Sequence, residues 1–142
     1  MSAINPYLNF AGTTEEAFNF YKSVFGGEFA MLQRFGETPG CEQMPENEKN
    51  MIMHVALPIG QGNVLMGSDA VESMGQSTTF GNNFSLSVGT DSKEEADKLF
   101  TGLAESGKVE MELQDTFWGA YFGMLTDKFG IRWMVNYDYP KN

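Results

Sequence analysis

The chain contains a repeat of itself, and that repeat limits what it can fold into. "YLNFAGTTEEAFNFYKSVFGGEF" begins at Tyr7, and "FSLSVGTDSKEEADKLFTGLAESGKV" begins at Phe84. Each reads as a short strand, a polar capping segment, a helix, a glycine and the start of another strand. Thr13 is followed three residues later by Glu16, and Ser92 by Glu95, so each helix opens on an S/T-x-x-E capping box. Ala17, Phe20, Tyr21, Val24 and Phe25 recur at helical spacing, and Ala96, Leu99, Phe100, Leu103 and Ala104 repeat the same offsets. Each set is one apolar stripe able to cover a sheet. Gly26–Gly27 and Gly107 are the expected helix stops.

Three strands follow each helix in this reading. The first set is expected at about Glu28–Phe35, Met51–Pro58 and Asn63–Ser68, with a polar loop over Gly36–Asn50. The second is expected at about Lys108–Leu113, Trp118–Thr126 and Ile131–Asn136. "GQGN" at Gly60–Asn63 and "DKFG" at Asp127–Gly130 supply hairpin turns, and Ala70–Gly81 links the halves. The fold class is therefore α+β: paired βαβββ modules at about residues 1–70 and 82–142 of a single domain. Helices lie outside a concave mixed sheet.

Alternation along the strands sorts their side chains by face. Leu8 and Phe10 oppose Asn5, Tyr7 and Asn9; Phe84, Leu86 and Val88 oppose Asn83, Ser85 and Ser87. In the last strand Ile131, Trp133 and Val135 oppose Arg132, Met134 and Asn136. The apolar sets belong under the helices. The opposite sets mix amides, hydroxyls, a phenol, thioethers and a guanidinium. Such a face suits a ligand cavity, or packing against another subunit or the other half.

Composition narrows the partners. Nine Lys and Arg against nineteen Asp and Glu give a formal charge of −10, which repels phosphate backbones and anionic lipid. Nucleic acid and membrane are not expected partners. The single cysteine, Cys41, sits among acidic residues that disfavour a thiolate and cannot form an intrachain disulfide, which fits a reducing, cytoplasmic setting. No signal peptide and no stretch of transmembrane length is read in the sequence.

"PYLNFAG" at Pro6–Gly12, "EEAFNFYKSVFGGE" at Glu15–Glu28, "FGE" at Phe35–Glu37 and "KVEMELQDTFWGAYFGMLTDKFGIRWMVN" at Lys108–Asn136 carry a family likeness. With the paired modules, the chain resembles the PhnB-like branch of the glyoxalase/bleomycin resistance/dioxygenase superfamily, the vicinal oxygen chelate proteins. The resemblance implies the glyoxalase/bleomycin resistance/dihydroxybiphenyl dioxygenase-like fold and a homodimer. Metal-dependent relatives place a His or Glu ligand on each of the first, fourth, fifth and eighth strands. Those positions fall here on Asn5, Met66, Asn83 and Met134, with Tyr7, Ser68, Ser85 and Arg132 in neighbouring registers. None is a His or a carboxylate. A thioether suits soft ions, not the hard or borderline ions of this chemistry, so no metal and no other cofactor is expected, though a divalent ion on unorthodox ligands stays open. Some relatives carry a methyltransferase label, but no glycine-rich strand–helix turn for a nucleotide cofactor is present.

His54, the sole histidine, lies in the apolar "MIMHVALP". It reads as a hydrogen-bonded structural residue, or, if it faces the cavity, as a general base alongside Tyr7. Asp69 and Asp127 read as turn residues. Trp118 and Phe122, within "QDTFWGAYFG", read as a cavity wall for a planar ligand or as core and interface. The candidate cavity is thus Asn5, Tyr7, Met66, Asn83, Ser85, Trp118, Phe122, Arg132 and Met134. Two functions fit it: a metal-free binder of small molecules, or a lyase, isomerase or dioxygenase-type enzyme with atypical or no metal ligands.

Overall fold

The computed structural model describes residues 2–60 and 62–141. The first half runs β1 (Tyr7–Phe10), α1 (Thr14–Phe25), β2 (Met31–Arg34), α2 (Glu46–Lys49), β3 (Ile52–Ile59) and β4 (Asn63–Asp69). The second runs β5 (Leu86–Gly89), α3 (Lys93–Ala104), β6 (Lys108–Asp115), β7 (Ala120–Thr126) and β8 (Arg132–Asp138). The chain divides into two compact units, Met1–Thr79 and Phe80–Asn142, and the division falls in the expected linker. Each unit holds its own four-stranded sheet, ordered β1-β4-β3-β2 and β5-β8-β7-β6. In each, the first strand pairs parallel with the last, while the remaining pairs are antiparallel. The βαβββ reading is the architecture found. β2 is shorter than expected, and the polar loop after it contains a 3₁₀ turn, Phe35–Glu37, and the short α2.

The helices cover their sheets through the apolar faces, with one shift. α3 buries Ala96, Leu99, Phe100 and Leu103, as its spacing predicts. α1 buries Thr14, Ala17, Phe18 and Tyr21. The expected Phe20 is only half-buried, and Phe18 takes its place in the core. The reason lies in the opposing strand: a Cβ on Gly67 would stand 2.7 Å from the Phe18 ring, so the missing side chain is what lets Phe18 in. Phe100 lies over Gly123 in the same way, also 2.7 Å from where a Cβ would be. Helix and sheet approach closely because each sheet offers an aromatic ring a gap to fill.

The two helix starts are built differently. Ser92 caps α3, its Oγ accepting from the Glu95 amide at 3.0 Å, while Glu95 Oε1 accepts from the Asp91 amide at 2.8 Å. The second half of this box therefore closes one residue earlier than expected. Thr13 makes no side-chain cap at all. Asp69, at the end of β4, replaces it: Oδ1 accepts from the amides of Gly12 (2.9 Å) and Thr14 (3.1 Å) and from Thr14 Oγ1 (2.7 Å). Oδ2 accepts from the Ile52 amide at 2.9 Å. The α3 stop also differs from expectation. Ser106 takes the left-handed conformation (φ 59°), and Gly107 is there because a Cβ would sit 2.5 Å from the Thr126 carbonyl oxygen.

Asp127 does more than mark its turn. It is buried, and it accepts from the Phe129 and Ile131 amides (2.8 and 3.1 Å) and from Trp133 Nε1 (2.8 Å). The "DKFG" hairpin closes with the Gly130 amide on the Asp127 carbonyl at 3.0 Å. In the "GQGN" turn, Gln61 lies outside the described residues, and the Asn63 amide bonds the Gly60 carbonyl at 3.1 Å.

Replacing Asp69 by Asn should cost about 3 kcal/mol in urea unfolding, because the new amide NH2 would face the buried Ile52 N–H, a donor against a donor. Ser92→Ala should cost only about 1 kcal/mol. Equal losses would show that Asp69 is no more than an ordinary cap.

Candidate functional site

Directly opposed residues in a sheet share a face, so the pairing register identifies what stands beside what on the faces turned away from the helices. In the first sheet Tyr7 opposes Met66, Met66 opposes Ala56, and Ala56 opposes Met31. In the second, Ser87 opposes Met134, Met134 opposes Met124, and Met124 opposes Met111. These are equivalent rows of the two modules. On this face, along each edge strand, Gln33 opposes His54 and Gln114 opposes Phe122. Phe122 is thus the second module's counterpart of His54.

His54 belongs to the open face, and it does not stand alone. Tyr7 Oη and His54 Nδ1 are 3.3 Å apart, with either the phenol or the imidazole donating according to tautomer. Their rings stack at 5.7 Å between centroids, inclined by 30°. Strand β1 brings the phenol over the sheet, and β3 presents the imidazole on the same side. The two residues the sequence offered as acid–base candidates are therefore neighbours. Met66, Met31 and Gln33 border them through the register, and none carries a charge.

The other expected residues divide. Met134, Phe122 and Arg132 lie half-buried on the open face of the second sheet. Arg132 Nη1 donates to the Asn82 carbonyl. Asn5 precedes β1, and its Oδ1 already accepts from the Val64 amide at 3.1 Å. Asn83 and Ser85 precede β5, which begins at Leu86 rather than Phe84, and Phe84 is exposed. Ser87, not Asn83 or Ser85, stands level with Met134. Trp118 lies outside β7 in the preceding turn and is exposed, its ring 5.0 Å from that of Phe117 and 6.1 Å from that of Phe122. Met31, Gln33, Met111 and Met124 were not singled out from the sequence. Simple alternation in β2 and β7 would have found three of them; the register shifts in β6 hide Met111.

Several titratable side chains are engaged with one another away from the Tyr7–His54 contact. Arg34 grips both oxygens of Glu15, at 3.0 and 2.6 Å, and donates to the Asn50 carbonyl at 2.9 Å. That hydrogen bonding holds the Glu15 carboxyl below its ordinary range against some desolvation, and raises Arg34 in turn. Tyr121 is pushed up to about 12 chiefly by its 2.6 Å bond to Asp97, then by desolvation and the carboxylate's charge. Tyr139 is likewise pushed up to about 12 by its bond to Asp115. Among the described residues no three His, Cys, Asp or Glu side chains come together to hold a metal ion. None of the described helices is long and apolar enough to cross a membrane.

A family model described as 3-demethylubiquinone-9 3-methyltransferase matches residues 2–136. The chain is 36% identical to protein YjdN of Escherichia coli K12 over 141 residues, covering 94% of this chain and 93% of that one. The crystal structure of PA1353 from Pseudomonas aeruginosa superposes with a TM-score of 0.85 at 41% identity, covering 99% and 100% of the two chains. A Bacillus cereus structure described as a putative 3-demethylubiquinone-9 3-methyltransferase, PhnB protein, gives 0.76 at 29% identity, covering 96% and 99%. The chain belongs to this PhnB-like family. A glyoxalase/bleomycin resistance protein/dioxygenase family enzyme from Burkholderia phytofirmans shares the fold, with a TM-score of 0.63 at 23% identity over 96% and 99% of the chains. The α+β fold of paired βαβββ modules is thus that of the glyoxalase/bleomycin resistance group, and the PhnB-like branch expected from the motifs is the one found.

Two measurements check this geometry. His54 is the only histidine, so its imidazole nitrogens give an unambiguous NMR signature; Tyr7→Phe should shift its tautomer balance while preserving the stack, and unchanged nitrogen shifts would remove the contact. The second is alkaline titration. Tyr121 and Tyr139 hold protons in the folded state that an unfolded phenol loses near 10.0, so their contribution to stability is present below that pH and fades as pH rises toward about 12. Phenolate absorbance should report two late-ionising tyrosines, and Asp97→Ala should return one of them to the ordinary range.

Proposed function

We propose that this PhnB-like protein binds a small, partly apolar molecule on the open face of its first sheet, without a divalent metal. The observation that carries this reading is the Tyr7–His54 pair, a stacked phenol and imidazole 3.3 Å apart. Two ring faces offer apolar contact, and their polar ends offer one hydrogen-bond donor and one acceptor in either tautomer. Met66 and Met31 add adaptable thioether surface beside them. The case against a divalent ion rests on donor chemistry. At the positions where metal-dependent relatives hold ligands stand two thioethers, Met66 and Met134, and the Asn5 amide oxygen is already engaged by a backbone N–H. A homodimer in the cytoplasm, which the resemblance and the cysteine content imply, belongs to the same proposal.

A second reading is favoured by the same contact. A phenol touching an imidazole is a proton-transfer pair, so a lyase, isomerase or dioxygenase-type reaction could run at Tyr7 and His54 without a metal. The methyl transfer in the matching family's name is a different matter. A nucleotide cofactor is ordinarily met by free amides of a glycine-rich turn at a helix start. Here the turn between β1 and α1 gives its Gly12 and Thr14 amides to Asp69.

Thermal unfolding with a panel of planar aromatic and amphiphilic compounds, in the presence of a chelator, tests the proposal. A true ligand at roughly a hundred times its Kd should stabilise the protein by about 3 kcal/mol. The shift should vanish in Tyr7→Ala. Stabilisation that appears only after adding Ni²⁺, Zn²⁺, Mn²⁺ or Fe²⁺ would defeat the metal-free reading. No turnover of a hemithioacetal is expected.

A further inference from the structure

The two arginines of this chain are held differently. Arg34 grips both oxygens of Glu15. Arg132, half-buried on the open face of β8, has no carboxylate partner among the described residues, although acidic side chains outnumber basic ones nineteen to nine. Its Nη1 donates to the Asn82 carbonyl, and the edge formed by Nε and Nη2 makes no hydrogen bond with any described residue. Thr126 opposes both Arg132 and Lys108, and its hydroxyl donates to Glu110 Oε1 at 3.2 Å. Of the charged side chains grouped about Thr126 in this way, two are basic and one is acidic. From there the face turns apolar along the strands. Met134 opposes Met124, and Phe122 stands two residues before Met124 on β7. The exposed Trp118 stands at the far end, its ring 6.1 Å from that of Phe122. From Thr126 to Phe122 the strand rises about 13 Å.

We propose that the second sheet binds an aromatic carboxylate, its carboxyl group on Arg132 and its rings lying across Met134 and Met124 toward Phe122 and Trp118. The unbonded guanidinium edge offers two parallel N–H donors, the match for the two oxygens of a carboxylate. Thioethers make favourable contacts with aromatic rings, which selects a ring system over a saturated chain. Phe122 and Trp118 add edge or offset ring contacts. The span accommodates two rings and a carboxyl group. A cationic ligand would meet the guanidinium, and an uncharged one would leave it unused. The formal charge of −10 opposes an anion at long range, but screening over about 8 Å in physiological salt leaves the nearby guanidinium to decide. This inference goes beyond the first-sheet reading and uses no residue of that module.

Calorimetric titration of the full chain with 2-naphthoate and with its neutral counterpart 2-naphthamide tests the proposal. The carboxylate should bind about tenfold tighter or more, the worth of a hydrogen bond to a charged group. Arg132→Gln should remove that advantage, and Arg132→Lys, which keeps the charge without the paired donors, should remove part of it. Lys98→Gln makes the same change of charge at an exposed position on α3 and should leave the affinity unchanged. Ring-current shifts of the Met124 and Met134 ε-methyl signals should accompany binding. They report on the second sheet, so a failure of binding at Tyr7 and His54 would leave this result standing. Equal affinity for acid and amide, undiminished binding by Arg132→Gln, or unmoved Met124 and Met134 methyl signals would overturn the proposal. The comparison of acid with amide needs only the native chain, so it decides even where Arg132→Gln does not fold.

Discussion

The carboxylate of Asp69 holds together the parts of the first module on which everything else depends. It is buried, and its four hydrogen bonds reach three separate stretches: the β1–α1 turn, the first residue of α1 and the first residue of β3. Asp69 opposes Phe10 across the β1–β4 ladder, and Tyr7 opposes Met66 three residues earlier. Fixing one end of that ladder fixes where the phenol stands. The bond to the Ile52 amide likewise anchors β3 two residues before His54. Tyr7 and His54 come from the strands on either side of β4, and the same side chain anchors both strands. A buried carboxylate is costly unless its acceptor sites are used; here two amides and a hydroxyl at a helix start, together with the Ile52 amide, supply what it needs, and it in turn satisfies them.

Much of this frame was legible in the sequence. The repeat, the βαβββ order, the α3 stripe and both faces of β8 follow from local pattern, because each depends on residues close in the chain. What failed was long-range. The α1 stripe is displaced toward Phe18 because Gly67, some fifty positions away, opens the space for that ring. Thr13 was read as a cap because capping boxes are local motifs, and nothing nearby announces that a residue on β4 will do the work. His54 could not be assigned a face, since β3 buries residues on both sides and its partner strand carries an irregularity between Gln33 and Arg34. Its meeting with Tyr7 is a property of the sheet order, which places β4 between their strands. The start of β5 was misplaced by two residues, and with it Asn83 and Ser85, because alternation by itself does not say where a ladder begins.

The two modules share their strand order and the pairing of their inner strands, differ in the irregularities of the edge strands β2 and β6, and carry different side chains where chemistry is decided. Met66 and Met134 are equivalent, as are Met31 and Met111, and Gln33 and Gln114. Against them, Tyr7 corresponds to Ser87, His54 to Phe122, and Ala56 to Met124. The helix starts diverge too, one capped by its own Ser92 and the other by a distant Asp69. Such divergence is what a duplicated sheet permits. Register is held by backbone bonds and by the apolar face under the helix, where Phe18 over Gly67 and Phe100 over Gly123 leave no slack.

The open face answers to no such constraint. A side chain there can change from donor to thioether, or from imidazole to phenyl, without moving a strand, because neither the ladder nor the helix touches it. That is why a shared fold says little about which reaction, if any, a member performs. It also explains why the same frame yields different chemistry in its two halves. In the first, a hydroxyl-bearing ring and an imidazole meet over a sheet whose central row is interrupted by the buried Ala56. In the second, an unbroken line of thioethers occupies that place. A hydrogen-bonded ring pair marks one face, and a row of thioethers near the Arg132 guanidinium marks the other, and the difference comes down to a few open-face positions on a shared strand order.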